Sequence, residues 1–425
     1  MQQKYINKFI AYMSSMAVMF FSYIPFLYIF MITRIEKYLI FLLLISTILI
    51  LALFSFTGQM LRGKIQFYKR HINALFLYML FAIYALVSFS FIGEKLNDLF
   101  TIRTLVLINP IFLLLALLCL RNKKDVIKML YLLSSTYFIF LIWSLIQENI
   151  SLSSDEQQNI FMILGSDVPA YTNINMYLGL FAICNIGLLS SNNKFVSMIP
   201  KILIPVSIIG MFIIGGRGPV VALIAIFFIY FFNKLKSFYH NLSFILKSIV
   251  LIFILVALMT FYFAEITQIL DASITWKRFM RLIEEGDESL RIFLFSHALE
   301  LFFSNIQIML FGAGINSFPV YIGHYDLGSC PHNVLLELLV EYGIIGTIFF
   351  AIPAVYVISI RKKILGSIYG NSIDEKIIFL IFMYFLIIDL FSGGLRASWV
   401  FMFYLFLLLP SQKKVEIYNK TAKVL

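Results

Sequence analysis

Apolar runs of about 20 residues, the helix length that crosses a bilayer core, recur along the whole chain with short polar breaks between them. They lie at 9–32, 38–57, 73–92, 101–120, 129–147, 173–190, 199–215, 219–233, 244–264, 333–360, 376–392 and 397–410. In lipid every backbone polar group must be satisfied within its own segment, so such runs are read as helices. The pattern predicts an all-α polytopic membrane protein with about 12 transmembrane helices, and residues 1–425 as one integral membrane domain. Most breaks are short. The break at 148–172 is intermediate, and the one at 265–332, between the ninth and tenth spans, is long enough to hold structure of its own.

Composition strengthens this picture. Apolar residues make up 61% of the 425 positions and charged residues 13%, about half the charge of an ordinary soluble domain. A soluble enzyme is excluded. The net charge of +11 would suggest nucleic acid in a soluble protein, but here its distribution decides. Placing the loops alternately puts about two-thirds of the Lys and Arg on one face, among them the Arg62–Arg70 cluster, Arg121 to Lys124, Arg361 to Lys363 and the 413–423 tail. The opposite face holds most of the acids, including Glu148, Asp155, Glu156, Asp167 and the run Glu284 to Glu288. Both termini are therefore expected in the cytoplasm, and no nucleic-acid partner is expected. The first apolar run passes into Thr33-Arg-Ile-Glu36 without a small-residue cleavage site, so it reads as a retained anchor. Neither a repeat of one half in the other nor low-complexity sequence is evident. Cys119, Cys184 and Cys330 are too few and scattered for a disulfide framework or a zinc site, and no metal or cofactor is expected.

The long external segment carries amphipathic patterns. Residues 276–283 mix basic and apolar positions as an interfacial helix does. On a helical wheel, 289–304 places Ser289, Ser296, His297, Glu300 and Ser304 in one polar stripe, with Arg291 on the apolar side. That arginine must snorkel to water or meet an anion within the protein. The stretch 311–318 is glycine-rich and suits tight turns or close backbone approach. Pro331-His332-Asn333 then opens the tenth helix, on which Asn333, Glu337 and Glu341 follow at spacings of four and share one face. Carboxylates on an apolar span call for a wet cavity or a partner. His332 reads either as an interfacial histidine beside an N-cap or as part of a site. If both were helical, His332 and Glu337 would stand about 140° apart, against direct contact. Arg217, in Gly215-Gly-Arg-Gly-Pro219, and Arg396, after Gly393-Gly-Leu, sit in tight external turns. A lone arginine there would be an ordinary polar loop residue. Three arginines, a histidine and a polar stripe on one face suit a phosphate-bearing substrate, because a guanidinium is permanently charged and forks onto phosphate oxygens.

His332-Asn333, nine residues, then Gly343-Ile-Ile-Gly346 resembles the H-N-x9-G-x-x-G signature of the O-antigen polymerase and O-antigen ligase superfamily. Leu310 to Phe318 resembles the glycine-rich segment ahead of that histidine, and Gly216-Arg-Gly-Pro219 resembles the arginine turn between spans. The resemblance covers about 210–350, together with the plan of about 12 spans and a large loop before the histidine helix. It implies a bacterial inner-membrane glycosyltransferase acting outside the cytoplasmic leaflet on undecaprenyl-diphosphate-linked oligosaccharide. A polymerase moves the growing glycan to the next lipid-linked repeat unit, and a ligase moves it to lipid A core. A chain-length-regulating partner would accompany the first activity. On that reading His332 is the catalytic base, Arg217, Arg291 and Arg396 hold the diphosphate, and Asn333, Glu337 and Glu341 orient it or contact sugar. The rival class is a transporter or lipid-linked-sugar flippase, for which Asp389 and Glu341 deep in spans would serve. Gathering of the polar residues at the external mouth, away from midplane, favours the transferase.

Overall fold

The computed structural model describes residues 69–91, 104–120, 123–146, 171–189, 194–214, 217–235, 290–323, 330–365, 372–391, 393–395 and 398–411. Among these every regular element is helical. In chain order they are α1 (Lys69–Phe91), a π turn (Thr104–Ile108) leading into α2 (Asn109–Cys119), α3 (Lys123–Ile146), α4 (Tyr171–Leu188), α5 (Lys194–Ile214) and α6 (Arg217–Leu235). There follow α7 (Leu290–Phe303), α8 (Ile306–Phe311), α9 (Ser317–Tyr321), α10 (Val334–Leu365), α11 (Ile373–Phe391) and α12 (Ser398–Leu407). The predicted spans from 73–92 to 219–233 and from 333–360 onward fall on helices. Those at 9–32, 38–57 and 244–264, and the interfacial helix at 276–283, lie outside the described residues. Lys69–Ser88 and Val334–Ile364 are long and apolar enough to cross a membrane, which is compatible with the expected membrane protein.

The chain divides into two compact units, residues 1–133 with 288–425, and residues 134–287. In the second, α4 packs along α5 and meets α6, while Tyr137 and Phe138 of α3 stack on Tyr177 and Phe181 of α4. Buried Asn175 donates to the Met211 carbonyl at 3.0 Å, satisfying an apolar helix pair with one polar tie.

The first unit holds the histidine segment and is built around α10, which packs against α1, α7 and α8, while α12 packs between α2 and α11. Phe81 of α1 sits edge-on to Tyr342 and Phe350 of α10. Tyr78, fully buried, donates to the Leu105 carbonyl and accepts from Asn109, which also reaches Ser398. The end of α12 is a second polar anchor. Its last carbonyls have no intrahelical partners; Lys123 donates to Leu409 O at 2.9 Å, Arg361 donates to Leu408 O, and the His71 ring lies 3.2 Å from Pro410 O. Glu375 lies 4.0 Å from Lys123 and 3.9 Å from Arg361, so the buried cations do not stand without a counter-charge.

The tenth span departs from its sequence expectation. The apolar pattern predicts one helix from 333, yet Gly343 adopts φ 66°, ψ −173° and breaks it. The carbonyls of Val340 and Glu341 lose the donors a continuous helix would supply. Ala313 N–H and Gly314 N–H of the glycine-rich strap replace them, at 2.8 and 3.0 Å. The approach leaves no room for side chains: a Cβ on Gly312, at φ 85°, would strike the Glu341 carbonyl, and one on Gly343 would strike that of Leu310. Tyr84 of α1 completes the joint, its hydroxyl 3.0 Å from the carbonyls of both Phe311 and Tyr342. A Cβ on Gly346 would fall 2.7 Å from the Tyr84 ring. About 20 residues remain in α10 after the break, roughly 30 Å of helix, enough to cross a bilayer core without the segment that carries Glu337 and Glu341.

This joint makes a graded prediction. Gly312→Ala should lower stability by about 1–3 kcal/mol or more, since both clash and positive φ oppose it. Gly323→Ala has positive φ but nothing within 4 Å, and should cost only about 1 kcal/mol. Thermal unfolding of the purified protein in detergent checks the order; equal melting temperatures for the two variants would contradict it.

Candidate functional site

His332 is not helical. Its φ is 51°, in the left-handed region where few side chains settle. The expected 140° separation from Glu337, which assumed one helix, therefore does not apply. The helix starts one residue after Asn333, whose side-chain oxygen accepts from the N–H groups of Leu335 at 2.9 Å and Leu336 at 3.0 Å. This N-cap satisfies two of the donors orphaned at the helix start. Cap and break together explain the spacing of the motif: Asn333 begins a short helical segment, Gly343 ends it, and Gly346 admits Tyr84. The His332 ring stands just before the cap, half-buried, with Nδ1 3.5 Å from Cys330 Sγ. A non-glycine residue in this conformation costs about 1 kcal/mol or more and persists where its surroundings hold it.

The polar stripe, read from sequence as orienting groups or sugar contacts, is met by backbone donors from other segments. Glu337 and Glu341 are buried, and each accepts a backbone N–H from another segment. Glu341 Oε1 accepts from Asn316 N–H at 3.0 Å, on the strap side. Glu337 Oε2 accepts from Leu395 N–H at 2.9 Å, in the turn that follows α11. These bonds tie two loops to one face of α10. Asn316 itself is buried in the left-handed region at φ 56°. Behind the strap, Leu294, Ala298, Leu301 and Phe302 of α7 pack with Phe318 and Val340 as an apolar core. Ser296 and Glu300 of α7 and Ser304 just after it are exposed, on a side that also exposes Ile292, Leu299 and Phe303.

The structure thus brings His332, Asn333, Glu337 and Glu341 together at one end of α10, with the strap and the turn after α11. Arg291 is the second residue of α7 in the same unit; Arg217 opens α6 in the other. Their side chains, and Arg396 altogether, lie outside the described residues. Sequence reasoning missed Cys330 beside His332 and Tyr84 across the break. Proximity to the histidine in sequence could have raised Cys330, whereas nothing distinguishes Tyr84 from the other membrane aromatics.

The all-helical fold with its two long apolar helices is compatible with a membrane protein. Residues 202–351 match the family described as O-antigen ligase, a stretch running from α5 through Arg217, Arg291, the strap and His332 to just beyond the Gly343 break. The match supports, over this segment, the O-antigen polymerase and ligase superfamily indicated by the motif. Its members are membrane glycosyltransferase-like enzymes of polysaccharide assembly. No curated protein matches the chain.

The cap carries a prediction of its own. Asn333→Ala should cost about 1 kcal/mol of stability while Asn333→Asp retains most of it, measured as melting temperature in detergent. Equal losses for both would mean that capping is not the role of Asn333.

Proposed function

We propose that the protein is a polysaccharide polymerase of O-antigen or capsule type, a glycosyltransferase that moves a growing glycan from undecaprenyl diphosphate to the non-reducing end of a lipid-linked repeat unit. The observation that carries this reading is the coincidence of the family match over 202–351 with the built segment around His332, where strained backbone, cap and loop ties converge. The reaction takes place on the outer face of the bacterial cytoplasmic membrane, with both termini inside, about 12 spans and 265–332 as the large external loop. The acceptor hydroxyl attacks the anomeric carbon, the bond from that carbon to the diphosphate oxygen breaks, and His332 takes the hydroxyl proton. A neutral imidazole suits this task because its ordinary pKa lies near working pH. The His332 Nδ1 lies 3.5 Å from Cys330 Sγ. The departing undecaprenyl diphosphate needs its charge held, a role for Arg217, Arg291 and Arg396. A chain-length-regulating protein is the partner this activity would call for.

Transfer to lipid A core is the second reading, favoured by the description of the matched family as a ligase. Deletion followed by surface-glycan analysis separates the two. Single repeats on lipid A core indicate a polymerase, full-length polymer stranded on its lipid carrier indicates a ligase, and repeats trapped inside indicate a flippase. His332→Ala and Arg217→Ala should abolish polymer ladders at wild-type protein level while single lipid-linked repeats accumulate. Normal ladders from both variants would sink the assignment.

A further inference from the structure

Gly393 and Gly394 lie between α11 and α12. What they share is a carboxylate directly against them. A Cβ on Gly394 would lie 2.6 Å from Glu337 Oε2, and one on Gly393 would run into the Asp389 carboxyl. The next residue, Leu395, is buried and gives its N–H to Glu337 Oε2 at 2.9 Å. The same Gly394 position lies 3.6 Å from Cys330 Sγ, and that sulfur is 3.5 Å from the His332 ring. The turn therefore sits on Glu337 with its flank beside the histidine, and the chain leaves it directly into Arg396.

We propose that Glu337 is a positioning residue: its carboxylate seats the Gly393–Leu395 turn, and so sets where the backbone entering Arg396 lies relative to His332. Its task is to hold a backbone donor, not to contact sugar or move a proton. Gly394 follows from this task, because any side chain there would displace the carboxylate that the next N–H requires. The consequence for catalysis rests on the glycan-transfer reading, whereas the seat itself does not.

Two readouts on the full-length protein test the proposal. Cys330 is half-buried, while Cys119 and Cys184 are buried, so maleimide labelling of Cys330 in detergent, followed by peptide mass spectrometry, reports whether the turn still covers its sulfur. Polymer ladders in cells report activity. Glu337→Ala should label several-fold faster and lose about 100-fold in polymer, the scale of an ångström-level misplacement. Gly394→Ala, which keeps the carboxylate, should do the same if Glu337→Ala does not accumulate. Glu337→Gln retains a carbonyl acceptor for Leu395 N–H and should stay near wild type in both readouts. Wild-type labelling of Glu337→Ala or Gly394→Ala would overturn the seat. Loss of polymer by Glu337→Gln with labelling unchanged would make Glu337 an acid acting on substrate, and would equally overturn the proposal. Ladders surviving His332→Ala would defeat the transferase reading and leave the labelling result to decide the seat.

Discussion

A helix that is opened in its middle must find new donors for the carbonyls it exposes, and the first unit is arranged around that requirement. At Gly343 the carbonyls of Val340 and Glu341 turn to the strap's N–H groups, an exchange that demands backbone-to-backbone approach and hence glycine on both sides. In or near a bilayer no water is assured to substitute, and an unsatisfied peptide group costs several kcal/mol. Because Tyr84 spans the same joint from α1, strap, break and first helix form one interlocked element. The segment between cap and break is thereby held as a short platform, and His332 stands at its leading edge.

The two ends of α10 solve opposite versions of one problem. Near His332, buried carboxylates accept N–H groups from loops that would otherwise have donors to spare. Toward Arg361, buried cations donate to the carbonyls at the end of α12, where a helix terminus carries partial negative charge. Charge in this protein is scarce, and much of what is buried is used to tie backbone to backbone across the packing of helices.

Much of the architecture was legible from periodicity. Long apolar runs have few alternatives to helix, so the described spans fall close to their predicted bounds. The glycine-rich stretch was readable as a site of close approach, although not what it would approach. Asn333, Glu337 and Glu341 share a face by spacing alone, yet their partners at Leu395 and Asn316 lie far away in sequence and could not be inferred from it. The single-helix reading of 333–360 failed because a lone glycine in an apolar run is ordinarily tolerated. Only the strap supplied the donors that make a break stable there.

The sequence by itself determined that the chain is helical and lipid-adapted, where its scarce charges lie, and which histidine carries a recognisable signature, since these depend on local composition and spacing. The tertiary structure decided which donors meet the stripe on α10, because Asn316 and Leu395 reach it only on folding. It also decided that His332 precedes the helix in strained backbone, a conformation set by the cap behind it and the contacts around it and invisible in the order of residues.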